Sequence, residues 1–307
     1  MFIVLFGLFR YNGGMDRRAL LEKIAVFPIV ARGLAEDLRS GAYRSVFRGN
    51  GIEFDEVRDY RTGDDIRAID RNVSARFGRP YVKLYREERE FSLCVALDQS
   101  LSMRERGASE RSRYEQALLA MCLLGFSAEK AGQQFGAVFF DSEVRQVWPC
   151  RQGTGHLLAM ADAALESGEP VAHQRGTALD AAMRQVMALC KRRSLVVIIS
   201  DFLSDEWETG LPRLCRSHDC ICVRIALPAE NAFPKIGLAV IEDMESNKTV
   251  HAAASSAFQA AWKSFFERRA AKWADACMRA GAAALTLSVD DEVDGVLPRF
   301  FNQRRRT

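Results

Sequence analysis

A strong excess of either charge is missing from this 307-residue chain: 43 Lys and Arg stand against 40 Asp and Glu, a formal net charge of +3. That balance leaves no strong field to draw in nucleic acid or an anionic membrane surface. The one local excess, Arg299 with Arg304, Arg305 and Arg306, reads as a solvated tail. No apolar run approaches the ~20 residues that a membrane span needs. Met1 to Phe9 is apolar but short, and no basic residues precede it as they would in a secretory signal. Met15 follows closely and opens a cleaner helical pattern, so residues 1–14 are expected to be a dispensable, over-extended start and the protein to be cytoplasmic. A P-loop and a Gly-x-Ser-x-Gly elbow are both absent, which removes the usual signals of nucleotide hydrolysis and serine catalysis. Gly153-Thr-Gly155 lacks the rest of a nucleotide fingerprint. His156, His173, His218 and His251 stand without evident nucleophile and acid partners.

Eight cysteines are present, scattered through runs such as Ser-Leu-Cys-Val-Ala-Leu that read as buried strand or helix. They are expected to be free thiols acting as small hydrophobes in a reducing compartment. The densest group, Cys215, His218, Cys220 and Cys222, has zinc-ligand chemistry. Residues two apart on a strand lie about 6.5 Å from each other, however, and thiolates bonded to one zinc at about 2.3 Å must nearly touch. Cys220 and Cys222 are therefore read as a core-facing pair.

Between Asp16 and Ser40, apolar residues Leu20, Leu21, Ile24, Phe27, Val30, Ala31, Leu34 and Leu38 recur at three- and four-residue steps, an amphipathic helix that Pro28 should kink or split. Residues 43–90 are rich in Arg and carboxylates and punctuated by Gly49, Gly51, Gly63 and Gly78. They read as irregular strands and loops. Residues 15–90 are accordingly taken as an N-terminal segment and 91–307 as a separate domain. There, short apolar runs alternate with longer helical ones: strands at 92–98, 134–140, 144–148, 195–201, 221–227 and 284–288, with helices at 114–131, 156–166, 178–190, 208–217 and 254–280. Such alternation argues an α/β fold, a doubly wound, mostly parallel sheet with helices on both faces. Residues 238–242 and 249–251 suggest an added hairpin, and no internal repeat is visible.

Asp98 closes the first of these strands and begins Asp-Gln-Ser-Leu-Ser, which puts an acid and the hydroxyls of Ser100 and Ser102 in the following loop. Asp201 holds the same place after Leu-Val-Val-Ile-Ile-Ser, and Thr177 sits in Arg-Gly-Thr-Ala-Leu-Asp just ahead of a helix. Ligands of doubly wound sheets bind outside the carboxyl ends of the strands, where the strand order reverses. Three hydroxyls with two carboxylates suit the octahedral oxygen coordination of Mg²⁺, or of Mn²⁺, and leave the ion electrophilic toward another anion. Each motif alone is weak, because Asp and Ser also cap turns and helices. Their order along the chain is what carries the reading.

With those residues in place, the chain resembles the von Willebrand factor A (VWA) domains, whose metal-ion-dependent adhesion site (MIDAS) has the spacing of Asp98, Ser100, Ser102, Thr177 and Asp201. Upstream, Gly49-Asn-Gly-Ile-Glu-Phe54, Val57-Arg-Asp-Tyr60, Gly63-Asp-Asp-Ile-Arg67 and Ile69-Asp70 through Ser74-Ala-Arg76 resemble the signature of a bacterial family of unknown function whose members accompany MoxR-type AAA+ ATPases. The likeness runs from about Arg17 to Phe301 and departs at Arg71, where tryptophan is expected. It implies direct metal ligation by Ser100, Ser102 and Thr177, with Asp98 and Asp201 acting mainly through bound water. It also implies a non-enzymatic protein-interaction module, with a MoxR-type ATPase as partner and an acidic side chain as the incoming ligand. Asp205 is close enough in sequence to occupy the site from within. Asp64, Asp65, Arg67, Asp70 and Arg76 are candidate partner contacts, or else an ion-pair network that holds their own loop. The alternative is a haloacid dehalogenase-like phosphatase, which also sets an Asp at the end of its first strand beside magnesium. That motif needs a second acid where Ser100 stands, and no convincing phosphate-binding lysine is found.

Overall fold

The computed structural model describes residues 4–6, 17–40, 53–61, 64–66, 69–86, 92–106, 109–166, 177–204, 207–233, 238–242, 249–253 and 255–306. In chain order the elements are β1 (Val4–Phe6), α1 (Arg17–Ser40), β2 (Glu53–Asp59), α2 (Arg71–Phe77), β3 (Tyr81–Arg86), β4 (Ser92–Asp98), α3 (Arg113–Lys130), β5 (Gln134–Phe140), β6 (Val144–Arg151), α4 (Thr154–Glu166) and α5 (Leu179–Leu189). There follow β7 (Leu195–Ser200), α6 (Leu211–Ser217), β8 (Asp219–Ala226), α7 (Pro228–Asn231), β9 (Leu238–Glu242), β10 (Thr249–Ala253), α8 (Ser256–Ala280), β11 (Ala283–Ser288) and α9 (Val293–Arg306). Single 3₁₀ turns occupy Leu101–Arg104 and Trp207–Thr209. None of the described helices is long and apolar enough to cross a membrane.

Two compact units result: Met1–Ala42 with Phe91–Thr307, and Tyr43–Glu90. The helix expected to belong with the arginine-rich segment is therefore part of the sheet unit, so the boundary expected at residue 90 encloses a piece of each. The cause is packing. α1 buries Ile24, Phe27, Ala31, Leu34, Ala35 and Leu38, one stripe at helical spacing, and lies against α3 and α9. α1 also runs unbroken through Pro28, so the expected split does not occur.

The main sheet has the order β11-β8-β7-β4-β5-β6, and every pair is parallel except β5 with β6. Counting its six strands along the chain gives 3-2-1-4-5-6, the doubly wound order, and the chain reverses direction between β4 and β7. β4 and β7 are apolar on both faces because both faces are covered. On one side lies α3, buried from Arg113 to Ala128 because α1, α4 and α9 cover what the sheet does not. Its start is set by a capping box in which Ser112 and Glu115 satisfy each other's backbone N–H groups. On the other side Cys94 and Ala96 of β4, Val196 and Ile198 of β7, and Cys220 and Cys222 of β8 form one core with Leu179, Met183 and Val186 of α5, Leu214 of α6 and Trp273 of α8. The two-residue step puts these strand residues on a single face, so Cys220 and Cys222 are the core-facing pair expected. The aromatic residues of α8 pack into the core too, with Trp262 against Phe233 and Phe266.

β9 and β10 form the expected antiparallel hairpin, and Val4–Phe6 pair along β9, which makes it the middle strand of three. These three residues lie within residues 1–14, the segment expected to be dispensable, and add an edge strand to that sheet. In the second unit β2 and β3 pair antiparallel and Asp70 caps α2, its Oδ1 accepting from the backbone N–H of Asn72 and Val73 at 2.8 and 3.2 Å.

At Gly136 the main sheet tolerates no side chain. β6 bulges across this point of β5, and a Cβ here would lie 2.8 Å from the Trp148 carbonyl oxygen and 2.9 Å from the Cys150 nitrogen. Because backbone atoms cannot swing aside, Gly136→Ala should cost about 1–3 kcal/mol, read as a lowered denaturant midpoint with an unchanged slope. Unaltered stability would show that β6 is free to shift.

Candidate metal centre

Asp98 is the last residue of β4 and Asp201 the first after β7, the adjacent strands at which the sheet reverses, and both are buried. β7 ends at Ser200, so Asp201 begins the loop rather than ending the strand as expected. Asp98 Oδ1 accepts from the backbone N–H of Ser100 at 2.8 Å, and Asp98 Oδ2 accepts from the Ser200 hydroxyl at 2.6 Å. Ser200 in turn accepts from Phe202 N–H at 3.1 Å. The hydroxyls of Ser100 and Ser102 lie 3.1 Å apart, and both residues are buried. Asp201 Oδ1 accepts from Leu203 N–H at 3.0 Å, whereas Oδ2 is buried with no hydrogen-bond partner.

The backbone after Asp201 is strained. Phe202 has φ +52°, the left-handed region that side-chain-bearing residues avoid. Its ring packs against Trp207 and Trp273, with centroids 5.2 and 5.7 Å away. That anchor offsets the strain and sets the direction in which Asp201 leaves the strand. Thr177, half-buried, reaches the same edge through the backbone: Ala178 N–H donates to Asp141 O at 2.6 Å, and Asp141 follows Phe140, the register partner of Asp98.

Residues outside the motif hold the first loop. Gln99 N–H donates to Phe140 O at 2.7 Å, and its side-chain amide donates to Tyr114 Oη at 2.9 Å. Tyr114 itself donates to Ala164 O. Arg113, 2% exposed, donates to Ser102 O at 3.1 Å, to Glu105 at 2.7 Å and to Glu230 at 2.9 Å; Arg224 meets the other oxygen of Glu230 at 2.7 Å. Burial works against the Arg113 cation, and Glu105 and Glu230 outweigh it, so its ionisation rises above the usual guanidinium range. Sequence reading missed this network, because an Arg and a Glu separated by a hundred residues share no local pattern. Ser200 was legible only as the neighbour of Asp201.

Residues 56–272, more than half the chain, match the family described as protein of unknown function DUF58. The chain belongs to that family. DUF58 relatives of similar length include an uncharacterised protein of Mycobacterium bovis and one of Mycobacterium tuberculosis, each 26% identical over 96% of this chain and 93% of its own. Of solved structures, the conserved hypothetical protein BatB from Bacteroides thetaiotaomicron aligns at TM-score 0.47 and 14% identity over 71% of this chain and 100% of its own. The VWA domain of SpRpn10 aligns at TM-score 0.37 and 15% identity, over 70% and 95%. The fold assignment of this DUF58 member rests on its own strand order and register.

In the second unit, Asp64 accepts two hydrogen bonds from Arg58 at 2.7 and 2.8 Å and one from Arg61 N–H. Arg58 beside it holds its carboxyl down at about 2. Asp64 and the capping Asp70 thus do structural work inside their own unit. Asp65 and Arg76 are exposed, and so is Arg71, which needs no tryptophan-sized pocket. Arg67 and Asp205 lie outside the described residues.

The residues at the sheet edge fit a hard cation. Two carboxylates share a buried space, one oxygen has no donor, and two hydroxyls meet beside them. Burial, and then the charge of Asp201, push the Asp98 carboxyl up to about 7. A carboxyl raised this way contributes stability that is fully present below its unfolded value, near 3.8, and is lost as the pH climbs through about 7. In EDTA the thermal midpoint should therefore fall between pH 5 and pH 8, and Mg²⁺ should flatten the fall; a midpoint independent of pH in EDTA would refute the shift. Asp201→Asn keeps the Leu203 bond while replacing the partnerless oxygen with an amide. It should stabilise the metal-free chain by about 1 kcal/mol, a rise of about 2–4 °C, and erase the response to Mg²⁺.

Proposed function

We propose that this protein is a non-enzymatic, cytoplasmic interaction module that uses Mg²⁺ or Mn²⁺ at Asp98, Ser100, Ser102, Thr177 and Asp201 to hold an acidic side chain of a partner protein. The observation that carries the reading is the buried Asp201 Oδ2 without a partner, beside the Asp98 carboxylate and the paired hydroxyls of Ser100 and Ser102. Leaving such an atom unpaired costs ~1–3 kcal/mol, and a cation offsets that cost. A divalent ion here supplies positive charge and an exchangeable position that a partner's carboxylate takes in place of water.

The chain's own residues keep the position open. Ser200 and the Ser100 N–H hold both oxygens of Asp98, so that carboxylate cannot swing across the site. Phe202 turns Asp201 inward, and Arg113 draws the Ser102 carbonyl back toward the core, leaving its hydroxyl at the edge. Support for a MoxR-type AAA+ ATPase as the partner comes from the sequence resemblance. Support against phosphatase chemistry comes from Ser100, which stands where that reaction needs its second carboxyl group.

Surface plasmon resonance against the candidate ATPase should show association in Mg²⁺, weakening at least about tenfold, or 1.4 kcal/mol, in EDTA and in the Ser100→Ala, Ser102→Ala double variant. Equal affinity in Mg²⁺ and EDTA would remove the metal from the grip. Mg²⁺-dependent turnover of phosphate esters abolished by Asp98→Asn would establish the phosphatase instead.

A further inference from the structure

At the opposite edge of the main sheet, three cysteines from three elements meet. Cys94 lies near the start of β4, Cys150 near the end of β6, and Cys190 caps the C-terminus of α5. Their sulfurs all lie within 4.8 Å of one another. The sequence separates these residues by tens of positions, and the fold makes room for them together. Gly136 is the register partner of Cys94 on β5, and a Cβ there would stand 2.8 Å from Cys150 Sγ. The absent side chain is the space that the Cys150 sulfur takes. Cys150 and then Cys94, the thiols beside it, hold the Cys190 ionisation below the usual thiol range. Cys94 and Cys190 are buried, and Cys150 is half-buried, an opening to solvent on one side.

We propose that Cys94, Cys150 and Cys190 form a three-sulfur site for a thiophilic d¹⁰ cation of the Cu⁺ and Zn²⁺ class. Thiolates select such ions by softness, and the hard oxygens at the other edge select against them. Bonds of about 2.3 Å around one ion place sulfurs roughly 3.8 Å apart, so the three need to draw in by no more than about 1 Å. Nearby His218 is not a fourth ligand. Its Nδ1 accepts from Ser194 N–H at 3.3 Å and burial lowers its basicity, so the neutral ring carries its proton on Nε2 and has no lone pair free there. Three sulfurs satisfy Cu⁺, whereas Zn²⁺ completes four-coordination with water at the Cys150 side. On binding, each S–H bond that is present breaks, its electron pair passes to the metal–sulfur bond, and its proton leaves to solvent.

The site is independent of the magnesium reading. α5 begins beside Thr177 at one edge and ends at Cys190 at the other, a helix about 17 Å long. The full chain, reduced without added thiol and kept anaerobic, is titrated with Cu⁺ in one arm and Zn²⁺ in the other against a competing chromophoric chelator. One equivalent should bind in at least one arm, with a thiolate-to-copper charge-transfer band in the Cu⁺ arm. Cys150→Ser and Cys190→Ser should each weaken binding at least about tenfold, since even outer partners of a metal ligand matter that much. Should those variants fail to fold, alkylation of the native chain decides: bound metal should slow labelling of Cys150 several-fold and leave Cys215, also half-buried, unchanged. Wild-type affinity in folded Cys150→Ser and Cys190→Ser, or metal that protects neither cysteine or both equally, overturns the proposal. A response to Mg²⁺ alone bears on the other edge and leaves this site refuted.

Discussion

Asp98 and Asp201 bring two carboxylates into one buried space at the ends of neighbouring parallel strands, and the surrounding structure answers that constraint. Like charges in a low-dielectric interior repel, and each loses its hydration. The fold meets part of the demand with neutral donors, the Ser200 hydroxyl and the N–H groups of Ser100 and Leu203, while Phe202 packs between two tryptophans and donates its own N–H to Ser200. One oxygen of Asp201 is left over. The cation proposed above would balance these groups.

The buried ion network behind the site does different work. Arg113 is shared between Glu105 and Glu230 and binds the carbonyl of Ser102, so the loop carrying the hydroxyls is tied to α3 and to the start of α7. Buried pairs of this kind contribute little net stability, because desolvation offsets most of the Coulomb gain, yet removing one partner leaves a charge stranded. Their value here is geometric: they hold one loop conformation on a helix that is itself enclosed on all sides.

Regular structure was legible because its signals are local. Alternating strand and helix periodicity located β4 and β5 to the residue and the other strands of the main sheet to within a few positions, and the Asp-x-Ser-x-Ser run marked the loop that carries the site. Pro28 does not split α1, because a helix held by a buried stripe on its neighbour is not broken by one missing donor. The association of α1 with the sheet and the pairing of Val4–Phe6 with β9 were hidden for the same reason: both are long-range contacts without a local pattern.

The α/β class and the residue types at the carboxyl edge were readable from the chain alone, since hydrophobic period and loop chemistry are written in consecutive residues. What those residues do to one another depends on the folded arrangement. Asp98 and Asp201 acquire their mutual repulsion, Ser200 its role as donor, Arg113 its hold on the loop, and Cys94, Cys150 and Cys190 their shared corner because β4 lies between β5 and β7 with α5 across it. Charge coupling and sulfur clustering depend on distance in space, and residues a hundred positions apart have none until the chain has folded.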